Sequence, residues 1–153
     1  MFQRLLAALT CLMVTAPAMA DTWTSTTAGR SDRAFYATSV DGMTLQLGCF
    51  SQDRGLAFLL TGGETPLPEV SDLMIWIALP DGRTGRYPMD RVDYLGGAEN
   101  ALIGTLLLGQ QGMDFFAAGA SISIDGPPGQ EIFRAGMTGT SAARRDFARI
   151  CGL

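Results

Sequence analysis

The stretch that most constrains how this chain can fold is its last one, Glu131-Ile-Phe-Arg-Ala-Gly-Met-Thr-Gly-Thr-Ser-Ala-Ala-Arg-Arg-Asp-Phe-Ala-Arg-Ile-Cys151, which reads as a strand, a glycine-rich turn and a short amphipathic helix. Within that helix Ala143, Phe147, Ile150 and Cys151 recur at i, i+4, i+7 and i+8 and form an apolar stripe. Arg144, Arg145 and Arg149 take the opposite side, which reads as a solvated basic face, and Thr140 or Ser141 can cap the start. The helix closes on a cysteine, and beyond residue 20 the sequence has only one other, Cys49. A bridge between them would tie the final helix to an early strand and enclose nearly everything between.

The redox setting that would permit such a bridge is suggested by the first residues. Met1-Phe-Gln-Arg4 leads into an almost unbroken apolar run from Leu5 to Val14, followed by Ala18-Met-Ala20 and the polar Asp21-Thr-Trp. This is the pattern of a secretory signal peptide over 1–20, cleaved after Ala20. The apolar run falls short of the roughly 20 residues that a bilayer span needs, so no membrane span is expected after cleavage. Cys11 raises a lipid-anchored alternative, but Ala8-Leu9-Thr10 is a poor lipobox and Cys11 sits early in the apolar segment. Export favours disulfides, and an even pair of cysteines without histidine fits a structural bridge better than a zinc cage.

Residues 21–153 then amount to one domain, and a 47% hydrophobic content suffices for a core. All the positive charge is arginine, with no lysine or histidine, and acids outnumber arginines 15 to 11. Nucleic acid and other polyanions are therefore poor partners. The missing histidine removes the Ser-His-Asp and Cys-His constellations, and the missing lysine removes lysine nucleophiles.

Along the chain, Asp21 to Arg33 reads as a loosely held start with Trp23 as a possible anchor. Ala34 to Val40 and Met43 to Phe50 flank Asp41-Gly42 as a hairpin, with Met43, Leu45, Leu47 and Cys49 on the core face. Gly55 to Thr61 is a more uniformly apolar strand, expected to be covered on both faces. Gly62 to Asp72, with two glycines, two prolines and three acids, reads as a solvated surface excursion, although loops of this length also carry binding sites. Leu73 to Leu79 is the most apolar strand and belongs at the centre of a sheet. Arg83 to Met89 suits an edge because Pro88 lacks a donor, and Arg91 to Leu95 would continue that sheet. Asn100 to Leu107 is a strand or a helix start, with strand favoured. Gln110 to Ala118 is a helix carrying Met113, Phe116 and Ala117 on one stripe and Gly119 as a left-handed C-terminal cap. Ser121 to Asp125, the turn Asp125-Gly-Pro-Pro-Gly129 and Gln130 to Ala135 make a second hairpin. The expected fold is mainly β: an antiparallel sandwich or flattened barrel of about seven or eight strands with two short helices, the C-terminal one tethered by a disulfide.

An exported leader, a strand carrying a core cysteine, a helix followed by strand-turn-strand, and the pattern Phe133…Gly136…Gly139…Ala142-Ala143…Phe147…Cys151 together define a sparse motif. Over Thr44 to Cys151 it resembles small periplasmic proteins of the invasion-associated locus B family, and accessory proteins of type VI secretion with a similar tail. The chain departs from the invasion-associated pattern in having no cysteine shortly after Trp23. The resemblance implies a non-catalytic cell-envelope protein, working as a protein-interaction or secretion and virulence accessory module.

Chemistry in the residues themselves is sparse. The carboxylate pairs Asp90 with Asp93 and Glu69 with Asp72 could serve a small secreted hydrolase, but both sit in polar connections where acids are simply solvated. The acidic loop lacks the ligand series of a calcium site, and neither a metal nor a cofactor is expected. Arg83, Arg86, Tyr87, Arg91 and Tyr94 are of the types that dominate protein interfaces and mark the candidate partner-binding stretch; a charged, proline-protected edge strand would look the same. A periplasmic inhibitor or immunity-type protein would use such a surface as readily as a secretion accessory.

One measurement set checks the leader and the bridge together. The exported, unreduced protein is expected to have the intact mass of a chain beginning at Asp21, and to show no free thiol at Cys49 or Cys151 when titrated in denaturant. Replacing either cysteine by serine should then cost about 2–5 kcal/mol, because the loop released is roughly a hundred residues. Two free thiols per chain would end the bridge, and a mass carrying lipid at Cys11 would end the soluble exported form.

Overall fold

The computed structural model describes residues 24–27, 34–49, 55–137, and 144, 145, 147 and 149. Ten strands and one helix lie among them: β1 Thr24–Thr27, β2 Ala34–Val40, β3 Met43–Cys49, β4 Gly55–Thr61, β5 Met74–Ala78, β6 Thr84–Pro88, β7 Asp90–Leu95, β8 Ala101–Leu107, α1 Gln110–Ala118, β9 Ser121–Gly126 and β10 Gln130–Gly136. They form two wholly antiparallel sheets, of order β1-β2-β3-β4-β8-β7 and β10-β9-β5-β6. The mainly β class is as expected, but the strands outnumber the expected seven or eight. One reason is β1, which lies in the stretch read as a loose start and pairs along β2 from Thr24↔Ala37 to Thr27↔Ala34.

Period-two alternation puts one side of each sheet into a shared interior. Leu45 and Leu47 of β3 and Leu56, Phe58 and Leu60 of β4 meet Ile75 and Ile77 of β5, Ile122 and Ile124 of β9 and Phe133 of β10 in one buried cluster. The arrangement is sandwich-like, as antiparallel sheets with one apolar face each require. The other face of β4 is only half covered at Ala57, Leu59 and Thr61, so this strand is not enclosed on both sides as its composition suggested. Beyond it the outer side of the six-stranded sheet leaves Ile103 and Leu107 exposed, at 41% and 60%.

Turns fix the registers. Asp41 and Gly42 both take positive φ, 50° and 80°, which is the turn that matches strand twist in a two-residue hairpin. At Pro88-Met89-Asp90 the chain leaves one sheet and enters the other, so β7 does not extend the sheet of β6 as expected; it pairs with β8 at the opposite sheet's edge. The β6 edge position itself is as the proline predicted. The loop before β5 is mostly exposed, as expected, but it is anchored to the body of the protein. Asn100, held at φ 39°, accepts from the Leu67 amide at 2.9 Å and donates from Nδ2 to the carbonyls of Thr65 (2.7 Å) and Gly63 (3.1 Å). That bracing buries Leu67 and Leu73 in the core while Pro66 and Glu69 stay exposed.

Helix α1 spans the expected residues, but its buried side is Gly112 and Phe116, with Ala117 exposed. Gly119 is not a left-handed cap, since φ is −56° and ψ 140°. Glycine is needed there for space: a Cβ would lie 3.0 Å from Ile77 Cγ2, 3.0 Å from Met137 Sδ and 3.2 Å from the Phe115 carbonyl oxygen.

Arg144, Arg145, Phe147 and Arg149 are helical, in the region of the expected second helix. Phe147 is fully buried against Phe116, ring centroids 6.1 Å apart. Arg144 overturns the solvated basic face. It is 7% exposed and donates from Nη1 to the carbonyls of Phe116 (3.0 Å) and Gly119 (2.9 Å), and from Nη2 to that of Met137 (3.1 Å). Arg145 and Arg149 are exposed as expected. The bridge between Cys49 and Cys151 falls on the Cys49 side chain and on Cys151, both outside the described residues, as are the leader 1–20, Trp23, Ala143 and Ile150.

Losing the Arg144 fork should be expensive, because hydrogen bonds to a charged group contribute about 1.5–3 kcal/mol each and three are removed together. Arg144→Ala is expected to lower unfolding free energy in urea by at least about 3 kcal/mol. Arg144→Lys should recover less than half of that, since a point charge cannot reach three carbonyls in one plane. A loss under about 1 kcal/mol in Arg144→Ala would contradict the structural role.

Candidate functional site

A concave surface lies on the outer side of the four-stranded sheet, and β5 explains why. Ile75 and Ile77 point inward, so Met74, Trp76 and Ala78 must point out. In β9 the inward Ile122 and Ile124 likewise leave Ser121, Ser123 and Asp125 on the outside. Cross-strand register then builds rows. Arg134, Ser123, Trp76 and Arg86 form one across β10, β9, β5 and β6, and Glu131, Asp125, Met74 and Pro88 form the next.

Trp76 and Asp125 lie between two grooves. One encloses about 310 Å³ and is floored by Met74 and Trp76, with Arg86 and Pro88 on the β6 side, Asp125 on the β9 side and Asp72 also in its lining. Its neighbour, about 180 Å³, runs over Ala78, Ser121 and Ser123 toward Arg134 and Thr84. Ser123 is only 6% exposed although it faces outward, so the larger side chains in its row cover it. Arg86 places its guanidinium carbon 5.6 Å from the centre of the Trp76 ring, within cation–π range. The indole Nε1–H is buried and meets no acceptor among the described residues.

Charges on this face are unevenly matched. Arg134 donates from Nε to Glu131 Oε2 at 2.8 Å and again from Nη2, and this bond holds its guanidinium above the ordinary arginine pKa, with Asp125 adding a smaller push in the same direction. At the β5–β6 turn Arg83 donates from Nε to Asp81 Oδ2 at 2.8 Å, and lies 6.0 Å over the Phe115 ring. The Arg83 backbone amide also bonds Asp81, and this, with the side-chain bond, lowers the Asp81 carboxyl below its ordinary value. Arg86 and Asp125 have no ion pair or hydrogen-bonded side-chain partner among the described residues.

The five residues singled out from the sequence do not form one surface. Arg83 and Arg86 are exposed at the four-stranded sheet. Tyr87 is half-buried and packs on the core, in the inward position opposite Ile75. Its ring fits against Gly112, where a Cβ would approach Cε1 to 2.8 Å, so the slot exists because α1 has a glycine there. Burial pushes the Tyr87 phenol above its ordinary pKa near 10. Its contribution to stability is therefore present below about pH 10 and is lost as pH rises through the folded-state value. Arg91 and Tyr94 belong to β7 in the other sheet; Tyr94 packs inward, and the Arg91 side chain is outside the described residues.

Trp76, Ser123, Asp125 and Arg134 were missed by sequence reasoning. The signal was present: Met74-Ile-Trp-Ile-Ala78 and Ser121-Ile-Ser-Ile-Asp125 each alternate strictly once isoleucine is taken as the inward residue. Of the carboxylate pairs, Glu69 and Asp72 are both exposed, as is Asp93, while the Asp90 side chain is outside the described residues. No group of three potential metal ligands gathers among the described residues. No helix among them is long and apolar enough to cross a membrane.

No protein-family model matches the chain, and it is significantly similar to no curated protein and to no solved structure.

A buried donor without an acceptor costs about 1–3 kcal/mol, which a phenylalanine at the same place would not incur. Trp76→Phe is therefore expected to leave thermal stability unchanged or to raise it, by up to about 1 kcal/mol after allowing for the weaker stacking of Arg86. A clear loss of melting temperature would show that the indole N–H is satisfied in solution and that Trp76 is retained for packing.

Proposed function

We propose that this chain is a non-catalytic binding module of the cell envelope that engages a protein partner through the outer side of its four-stranded sheet. The observation that carries the reading is the exposed Arg86 over Trp76, the one without an ion pair and the other with its indole donor buried without an acceptor among the described residues. Tryptophan and arginine are the commonest energetic anchors of protein interfaces. A cation held against an indole is partly ordered already, so binding to it loses less conformational freedom than binding to a free side chain. The absence of histidine and lysine from the sequence, together with the exposure of Glu69, Asp72 and Asp93, supports a non-catalytic role over the hydrolase. Export rests on the leader 1–20, and the likeness to invasion-associated and secretion accessory proteins rests on the sparse sequence pattern. An inhibitor or immunity-type protein would present the same face to a different kind of partner.

Capture from envelope extract separates binding from stability at neighbouring residues of one strand. Arg86→Ala is expected to change stability by no more than about 1 kcal/mol while abolishing partner capture by the full chain. Tyr87→Ala, which empties a half-buried slot, is expected to lose about 2–4 kcal/mol. Equal capture by wild type and Arg86→Ala would remove this face from the interaction.

A further inference from the structure

The charges on the outer side of the four-stranded sheet suggest what this face would recognise, given the binding role just proposed. Two arginines there or at its rim are neutralised at home, Arg134 by Glu131 and Arg83 by Asp81. Arg86 and Asp125 form no ion pair among the described residues, although Asp125 acts on Arg134 at longer range. They stand on β6 and β9 with β5 between them, one row apart in register, since Trp76 is opposite Arg86 and Met74 is opposite Asp125. Strand spacing of about 4.8 Å and a row step of about 6.8 Å put their backbones roughly 12 Å apart. Between them lies the apolar floor of the larger groove, Met74 and Trp76, with Asp72 also lining it.

We propose that this groove binds an extended segment of a partner protein carrying an acidic and a basic side chain four positions apart, with an apolar side chain midway. In an extended chain alternate residues share a face at about 3.3 Å per residue, so positions i and i+4 are about 13 Å apart and i+2 sits between them on the same side. The acid would pair with Arg86, the base with Asp125, and the central side chain would cover Met74. Charge complementarity favours this occupant over a uniformly acidic or basic segment, because either would place one like charge against the groove.

The test uses the full chain, fluorescently labelled, on an immobilised array of capped nonapeptides. The array varies the two charged positions as Glu, Gln or Arg around a central Leu, at separations of two, four and six. Glu-x-Leu-x-Arg and Arg-x-Leu-x-Glu peptides are expected to retain the protein at least tenfold better than the doubly Gln version, and better than the same charges two or six apart. Arg86→Glu should shift retention to peptides with two arginines, and Asp125→Arg to peptides with two glutamates. Should either reversal unfold the chain, Arg86→Gln and Asp125→Asn should abolish the preference for the acid and for the base respectively. Retention without charge preference, or a preference unmoved by these variants, overturns the inference while leaving the binding role intact. So does capture of an envelope partner, lost in Arg86→Ala, with no peptide retained. Failure of both envelope capture and peptide retention overturns the binding role as well. Sedimentation of the free protein as a dimer that Arg86→Glu dissociates would overturn the inference by showing a second copy to be the occupant.

Discussion

The guanidinium of Arg144 is the interaction on which the closed end of this structure depends. Among the described residues it is the only charged side chain in the buried set, and what it meets are carbonyls: Phe116 and Gly119 at the C-terminal end of α1, and Met137 just past β10. Taking a cation out of water costs several kcal/mol. Carbonyls at a helix C-terminus are the negative end of its dipole, so they offset part of that cost without a carboxylate. The geometry then dictates neighbours. With Arg144 in place Phe147 sits fully buried on Phe116, each contributing roughly 1.5–3 kcal/mol from burial of an aromatic side chain. The same constraint explains Gly119, which must let Ile77 and Met137 approach the backbone that Arg144 is bonding.

From there the consequences run to the opposite side of the sheet. Helix α1, fixed at one end by Arg144, carries Gly112 against the ring of Tyr87 and so holds β6 against the interior. Tyr87 inward forces Arg86 outward, and pairing of β6 with β5 sets Arg86 beside Trp76. The groove is therefore a by-product of core packing in its placement, although not in its chemistry. Isoleucines at 75, 77, 122 and 124 determine which residues of β5 and β9 face solvent, but nothing in the core requires a tryptophan or an unpaired aspartate there.

What could be read from the sequence, and what could not, divides along the same physical line. Strands were legible where the pattern is local: the Asp41-Gly42 hairpin, the edge proline at 88 and the span of α1 all follow from two- or four-residue rules. Residue faces were legible when polar and apolar positions alternated, as in β3. They were lost in β5, where Trp76 and Met74 are as apolar as the isoleucines between them, so a two-faced strand reads as uniformly buried. Arg144 and Asn100 were missed for another reason. Both satisfy backbone carbonyls of segments distant in the chain, 25 and 28 residues away for Arg144 to Gly119 and Phe116, and 35 and 37 for Asn100 to Thr65 and Gly63. No periodicity records such a bond, and on a helical wheel Arg144 looks like any solvated arginine. The division of the sequence-predicted site between Arg86 outside, Tyr87 inside and Tyr94 on the other sheet follows from the crossing at Met89, which is likewise a tertiary event.

The exclusive use of arginine becomes intelligible in these contacts. Arg144 spans three carbonyls, Arg134 bonds Glu131 through two nitrogens, Arg83 bonds Asp81 while lying over Phe115, and Arg86 lies over Trp76. The hydrogen-bonded ones use the planar fork of the guanidinium, which lysine lacks, and a guanidinium is also the cation more often found over aromatic rings. Only the first adds much to stability, because exposed ion pairs contribute about 0–1 kcal/mol and an exposed cation–π contact about 0.5–1 kcal/mol. The exposed arginines therefore act mainly by being ordered. An arginine side chain loses up to about 2 kcal/mol of rotamer freedom when immobilised, and stacking on an indole has already removed part of that before any partner arrives. Arg86 differs from Arg83 and Arg134 in being held by a ring alone, with no ion pair among the described residues. A cation that is both ordered and unpaired is well suited to recognition and adds little to folding, which is why the proposed binding role is placed on β6 and on its neighbour Trp76.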